Sequence, residues 1–184
     1  TFFLITFSLN NSLMADEKKA YFAGGCFWCV EEAFEKTTGV SEVKSGYTGG
    51  HLKNPTYEQV THEDTGHYEA VEVSYDPNQI SYDQLLEIFW KNIDPFDAQG
   101  QFCDKGSSYL SAVFYQNERE KEAFNKSKEN LKIDKSQIAT HLKPLETFYA
   151  AEDYHQDFYK KNPLRYKFYK SSCGRVPRLK KIWG

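Results

Sequence analysis

Cysteine is scarce in this chain, and that scarcity limits its use. The 184 residues hold four, Cys26, Cys29, Cys103 and Cys173. Four are too few to staple a chain of this length, so the thiols are expected to be redox-active, metal-binding or buried. Long apolar runs are missing too, and with them any membrane-spanning helix. The formal net charge of −3 gives no footing for general nucleic-acid binding. Repeats and internal linkers are also absent. What is present is 40% hydrophobic and 16% aromatic residues, which excludes disorder. Such a chain can bury a sizeable core, and a single, monomeric domain is expected over residues 16–184.

Charge is unevenly spread. From Phe158 to Gly184 there are nine Lys or Arg and no acidic residue, which predicts a basic tail lying on an acidic body. At the other end, "TFFLITFSLNNSLMA" is apolar, then polar, then small, like the end of a secretory signal that has lost its basic start. The alternative is that Met14 begins the protein and residues 1–13 are a non-native extension. A truncated signal over 1–15 would favour export to a compartment such as the periplasm, and an extension would leave the protein cytoplasmic. Residues 1–15 are set aside from the fold on either reading.

The remaining pattern alternates between strand and helix. Residues 20–23 read as a short strand running into Gly24-Gly25, then Phe27, Val30 and Phe34 recur at helical spacing with Glu31, Glu32 and Glu35 on the opposite face. Residues 41–47 look extended, and one helical turn is expected after Pro55. Residues 67–75 alternate strictly, placing His67, Glu69, Val71, Val73 and Tyr75 on one face. Ser81 with Gln84 makes a capping box for a helix carrying Leu85, Leu86, Phe89 and Trp90. A long loop leads to a strand at 109–115, Asn117 caps a helix over 118–132, and residues 138–149 supply a last strand. The order strand–helix–strand–strand–helix–strand predicts an α/β (α+β) fold, the ferredoxin-like split βαβ two-layer sandwich. Pro163, Gly174 and Pro177 suggest that everything after Asp157 is a long irregular tail.

"GGCFWC" leaves three uses open for its two cysteines. They could be half a zinc site, but no second pair completes one, so no metal is expected. They could form a thioredoxin-like redox pair. Or Cys26 alone could work, its thiolate favoured by the amides and dipole of the helix that begins there. Phe27 and Trp28 between them suggest the wall of a pocket for a small apolar group. Glu69 faces inward with its apolar neighbours, so burial should keep it protonated near neutral pH, which suits a general acid. Tyr57 and Tyr109 follow loop breaks and could offer hydroxyls to a cleft. Asp104, beside Cys103, carries no signal by itself.

Seven segments, "GGCFWCVEEAFEKTTGV", "SGYTGG", "NPTYEQV", "TGHYEAVEVSYDP", "ISYDQLLEIFWKNIDP", "DKGSSYLSAVFY" and "YHQDFYKKNP", occur in this order. Together they resemble the type A peptide methionine sulfoxide reductases, from about residue 20 to the C-terminus. The resemblance implies reduction of the S epimer of methionine sulfoxide, free or in proteins, as protein repair under oxidative stress. It makes Cys26 the nucleophile, Glu69 the acid that protonates the oxygen, Tyr57 and Tyr109 hydrogen-bond donors to it, and Phe27 and Trp28 the receptor for the S-methyl group. Asp104 would help hold a water. A sulfenic acid on Cys26 would be resolved to a disulfide, with thioredoxin or another dithiol as reductant and no bound cofactor. Cys173 in "SSCGR", flanked by Lys170 and Arg175, is the expected resolving thiol, ahead of Cys29. A thioredoxin-like oxidoreductase using Cys26 and Cys29 is the alternative. Two departures stand out: Leu110 occupies a position where the family commonly has Arg, and Cys29 one where many members have Gly.

Overall fold

The computed structural model describes residues 16–184, so both readings of the first fifteen residues lie outside the described residues. Strand β1 (Lys18–Gly24) leads into helix α1 (Phe27–Glu35), followed by β2 (Val40–Thr48), α2 (Tyr57–His62), β3 (Tyr68–Tyr75) and α3 (Tyr82–Lys91). A small hairpin of β4 (Gly100–Gln101) and β5 (Asp104–Lys105) interrupts the long loop before β6 (Ser111–Tyr115) and α4 (Glu118–Asn130). Strands β7 (His141–Pro144) and β8 (Tyr149–Ala150) precede three C-terminal helices, α5 (Phe158–Lys161), α6 (Pro163–Ser172) and α7 (Arg175–Trp183).

The main sheet has the order β7-β6-β1-β3-β2-β8. Its middle four strands, β6-β1-β3-β2, are antiparallel at every step, as the split βαβ arrangement requires. Alternation along the strands sorts side chains to two faces. Ala20, Phe22, Val71, Val73 and Val113 face α1, α3 and α4, where Phe22 stacks on Phe34 and Phe89 at 4.8 and 5.4 Å between centroids. Tyr21, Ala23, Tyr68, Ala70, Ala112 and Phe114 form a second cluster on the opposite face, under Leu110, Leu145 and Phe148. Local signals start the helices where the sequence indicates. Ser81 and Gln84 form both halves of the capping box, Asn117 accepts from Glu120 N–H, and Thr56 with Gln59 makes a further box ahead of α2.

Four expectations change. The strand expected at 109–115 begins at Ser111, because residues 107–109 take one 3₁₀ turn. The strand expected at 138–149 is two: β7 pairs parallel with β6 at one edge and β8 pairs with β2 at the other. Pro144 ends the first, since it has no N–H to extend the ladder. The tail is not irregular. Pro163 stands at the first turn of α6, where its fixed φ assists a helix, and Gly174, at φ 74°, makes the left-handed turn that lets α7 start at once. This helical tail does lie on acidic groups of the body: Lys160 pairs with Glu35, Lys170 with Glu32 and Arg178 with Asp94.

Glu31 is the fourth change. Expected on the outer face of α1, it is fully buried, because α5 and the turn before it cover that face. Its Oε1 accepts the Asp157 N–H at 3.1 Å and its Oε2 has no partner. Burial raises its carboxyl from 4.5 to about 7. A carboxyl raised on folding stabilises the protein while it stays protonated, and that contribution is lost as pH rises through the folded value. Glu31→Gln should therefore gain stability relative to the native chain between pH 5 and pH 8, by on the order of 2 kcal/mol. Urea unfolding at the two pH values measures this, and an offset independent of pH would contradict it.

Candidate active site

The Gly24-Gly25 turn ends β1 and delivers Cys26 as the N-cap of α1. A Cβ at Gly25, whose φ is 78°, would stand 2.5 Å from Gln101 Cβ, so only glycine allows this approach. The next amide, Phe27 N–H, is one of the donors a helix start leaves without an internal partner. It donates to Glu69 Oε2 at 3.0 Å across from β3. Sequence spacing of 42 residues is thereby closed by one hydrogen bond between the thiol turn and the carboxyl.

Cys26, Phe27, Trp28, Tyr57, Glu69, Asp104 and Tyr109 all line one cavity of about 260 Å³. The structure thus brings together seven side chains that the sequence singled out. Glu69 is 2% exposed, and burial pushes its carboxyl up to about 8. The Tyr109 and Tyr57 hydroxyls face the same cavity, and burial raises both, Tyr57 to about 12. Asp104 is raised by burial as well, and the Tyr169 hydroxyl donates to its Oδ2.

Arg165 and Tyr169 of α6 complete the lining. Sequence reading missed them because it took the tail for coil. Their signal was the helical spacing of Tyr166, Tyr169, Lys170 and Cys173. The segment "AEDYHQDF" is a second omission. Glu152 accepts the Tyr57 N–H and the Tyr47 hydroxyl, both at 2.8 Å. His155, lowered to about 4 by burial, accepts the Trp28 indole N–H at 3.2 Å, and Phe158 stacks on Trp28 at 3.7 Å with 9° between planes. One short turn thus holds both the indole wall and the start of α2.

The cysteines divide into two pairs. Cys103 and Cys173 are joined in a disulfide across 70 residues, while Cys26 and Cys29 are free and buried. Donor atoms of Cys103, Asp104 and Cys173 lie within 4.8 Å of one another, a proximity invisible in sequence, but the bonded sulfurs are not free metal ligands. The expected helix-start effect on Cys26 is overridden. Burial pushes its thiol well up, while Cys29 is lowered by the neighbouring Cys26 thiol and by the charge of Arg175, so negative charge on the inner pair is favoured at Cys29.

Comparison with known proteins places the chain in a family. The family model for peptide methionine sulfoxide reductase matches residues 18–184. Peptide methionine sulfoxide reductase MsrA of Bacillus subtilis (strain 168) is 50% identical over 175 residues, covering 93% of this chain and 99% of that protein. The MsrA of Streptococcus pyogenes serotype M5 (strain Manfredo) is 51% identical over 169 residues, covering 90% of this chain and 99% of its own. Among solved structures, reduced Mxr1 from Saccharomyces cerevisiae has a TM-score of 0.75 and 32% identity, covering 80% of this chain and 86% of its own. Methionine sulfoxide reductase A of Corynebacterium diphtheriae has a TM-score of 0.73 and 33% identity, with 80% and 76% covered. A match of this extent, over a cavity that joins a buried thiol to a buried carboxylic acid, shows that the chain belongs to the peptide methionine sulfoxide reductases, of the MsrA type.

Proposed function

We propose that residues 16–184 act as one catalytic domain that reduces the S epimer of methionine sulfoxide, with Cys26 as nucleophile and Glu69 as acid. The observation that carries this reading is Glu69 itself: a carboxyl held neutral up to about pH 8 in the same cavity as the thiol. A sulfoxide oxygen leaves poorly until it is protonated, so a neutral acid and a sulfur nucleophile form a competent pair. Cys26 sulfur attacks the sulfoxide sulfur while Glu69 gives its proton to the oxygen, aided by the Tyr57 and Tyr109 hydroxyls. The thiol proton leaves to Cys29 or solvent. Oxygen ends on Cys26 as a sulfenic acid, the substrate leaves as methionine, and Glu69 is reprotonated from solvent. Phe27 and Trp28 receive the S-methyl group, and Asp104, with Tyr169, holds the polar side of the cavity.

The disulfide supports a continuation in which Cys173 serves as resolving thiol. Its thiol displaces water from the Cys26 sulfenic acid, forming Cys26–Cys173. Cys103 then attacks the Cys173 sulfur, frees Cys26 and leaves Cys103–Cys173. Cys103 is exposed and Cys173 is buried, so an external dithiol reaches the pair at Cys103. A thioredoxin suits that step, and Mxr1 of Saccharomyces cerevisiae has been solved in complex with Trx2. This assigns Cys29 no resolving part, and the burial of both inner thiols disfavours the thioredoxin-like alternative, which needs an accessible pair.

First-turnover methionine release should fall as pH rises through about 8, where Glu69 loses its proton. Glu69→Gln should slow that turnover by about 10²-fold or more and abolish this alkaline limb. Near-normal rates in the variant would remove Glu69 from the role of acid. Cys173→Ser and Cys103→Ser should each release one equivalent of methionine and then stall with thioredoxin. Sustained turnover by Cys173→Ser would take the resolving role from Cys173, and sustained turnover by Cys103→Ser would show that the reductant reaches Cys26–Cys173 without Cys103.

A further inference from the structure

Arg175 is 4% exposed, yet it makes no ion pair among the described residues. Two neighbouring cations behave differently: Lys170 is matched by Glu32, and Arg178 by Asp94. Arg175 instead spends its fork on two backbone carbonyls, Asn92 O at 2.6 Å and Gly24 O at 2.8 Å, and lies 4.4 Å from the centroid of the Phe102 ring. A buried guanidinium without a counter-ion is costly, and such a charge is retained where it faces an anion or a group that becomes one. Gly24 is the residue two before Cys26, so the fork grips the turn that presents the thiol. The charged and titratable groups around this thiol pair are Tyr57 on α2, Glu69 on β3, Asp104 on β5, Tyr109 before β6, Arg165, Tyr166, Tyr169 and Lys170 on α6, and Arg175 at the start of α7. Burial keeps Glu69 neutral, Asp104 makes no ion pair with Arg175 although the guanidinium lowers its raised carboxyl, and Lys170 is paired with Glu32.

We propose that Arg175 is the electrostatic positioning residue of the inner thiol pair: its uncompensated charge, fixed against the Gly24 carbonyl, holds one negative charge on Cys26 and Cys29 at neutral pH. The lowering of Cys29, to which Arg175 contributes after the neighbouring Cys26 thiol, agrees with this. Arg175, which flanks Cys173 in the sequence, therefore turns to the Gly24 carbonyl of the thiol turn. Leu110, where the family commonly carries Arg, packs against the cluster on the opposite face of the sheet, so no guanidinium comes from that position.

The inference rests on the reading of Cys26 as nucleophile, but its test reads thiol ionisation alone and not sulfoxide turnover. In protein with the Cys103–Cys173 disulfide intact, the only free thiols are Cys26 and Cys29, and their alkylation by iodoacetamide is followed against pH. Arg175→Gln should move the alkylation profile upward by about one pH unit, while Arg175→Lys stays near the native profile and Lys170→Met moves it less than Arg175→Gln does. Superimposable profiles for native protein and Arg175→Gln, with circular dichroism unchanged, would overturn the proposal, as would equal displacement by Arg175→Lys. Should Arg175→Gln not fold, ultraviolet thiolate absorbance of the native protein at neutral pH decides, and its absence overturns the proposal.

Discussion

A turn without side chains governs this molecule. β1 must end and α1 must begin within two residues, and Gly25 can follow that path only because nothing projects toward Gln101. Gln101 in turn is fully buried and bonded in both directions to the Asp94 backbone, so the turn rests on a rigid floor. Everything chemical hangs from it. Cys26 becomes the cap of a helix, the first free amide of that helix is answered by Glu69, and Gly24 offers its carbonyl to Arg175. A displacement of the turn would move nucleophile, acid and cation together.

The cavity separates two kinds of ionisation within a small volume. Desolvation alone would neutralise every group in it, and it does keep Glu69 protonated. The sulfur side is divided: burial raises Cys26, while Cys29 is lowered by its neighbour Cys26 and by the charge of Arg175. Acid and nucleophile are held differently: Glu69 on β3 accepts the Phe27 amide, and Cys26 packs with Cys29 against Phe158 and Tyr166 of the cationic C-terminal helices. The helical tail thus lines the cavity through Arg165 and Tyr169, as well as being a cover held on by Tyr166 and Lys170 at Glu32.

Much of this was legible in the residues, for stated reasons. Strict alternation over 67–75 fixed the inward direction of Glu69, and capping boxes marked α3 without any tertiary information. The four central strands followed from the order of elements. Proline and glycine misled where they act as helix starters and hinges, so Pro163 and Gly174 read as breaks and hid Arg165 and Tyr169. Glu31 misled because a charged residue opposite an apolar stripe ordinarily faces water, and only the long-range return of residues 157 and 158 buries it. No sequence rule could bring Cys103 next to Cys173 or turn Arg175 inward, since both depend on where α6 and α7 dock.

The bond between Cys103 and Cys173 closes a loop of 70 residues. Such a closure removes about 4 kcal/mol of chain freedom from the unfolded state. In the proposed cycle this bond is made at each turnover and broken at each reduction. The enzyme is then most resistant to unfolding when it has just spent its reducing power, and most easily unfolded when it is recharged. Waiting for a reductant costs this protein activity, but not its fold.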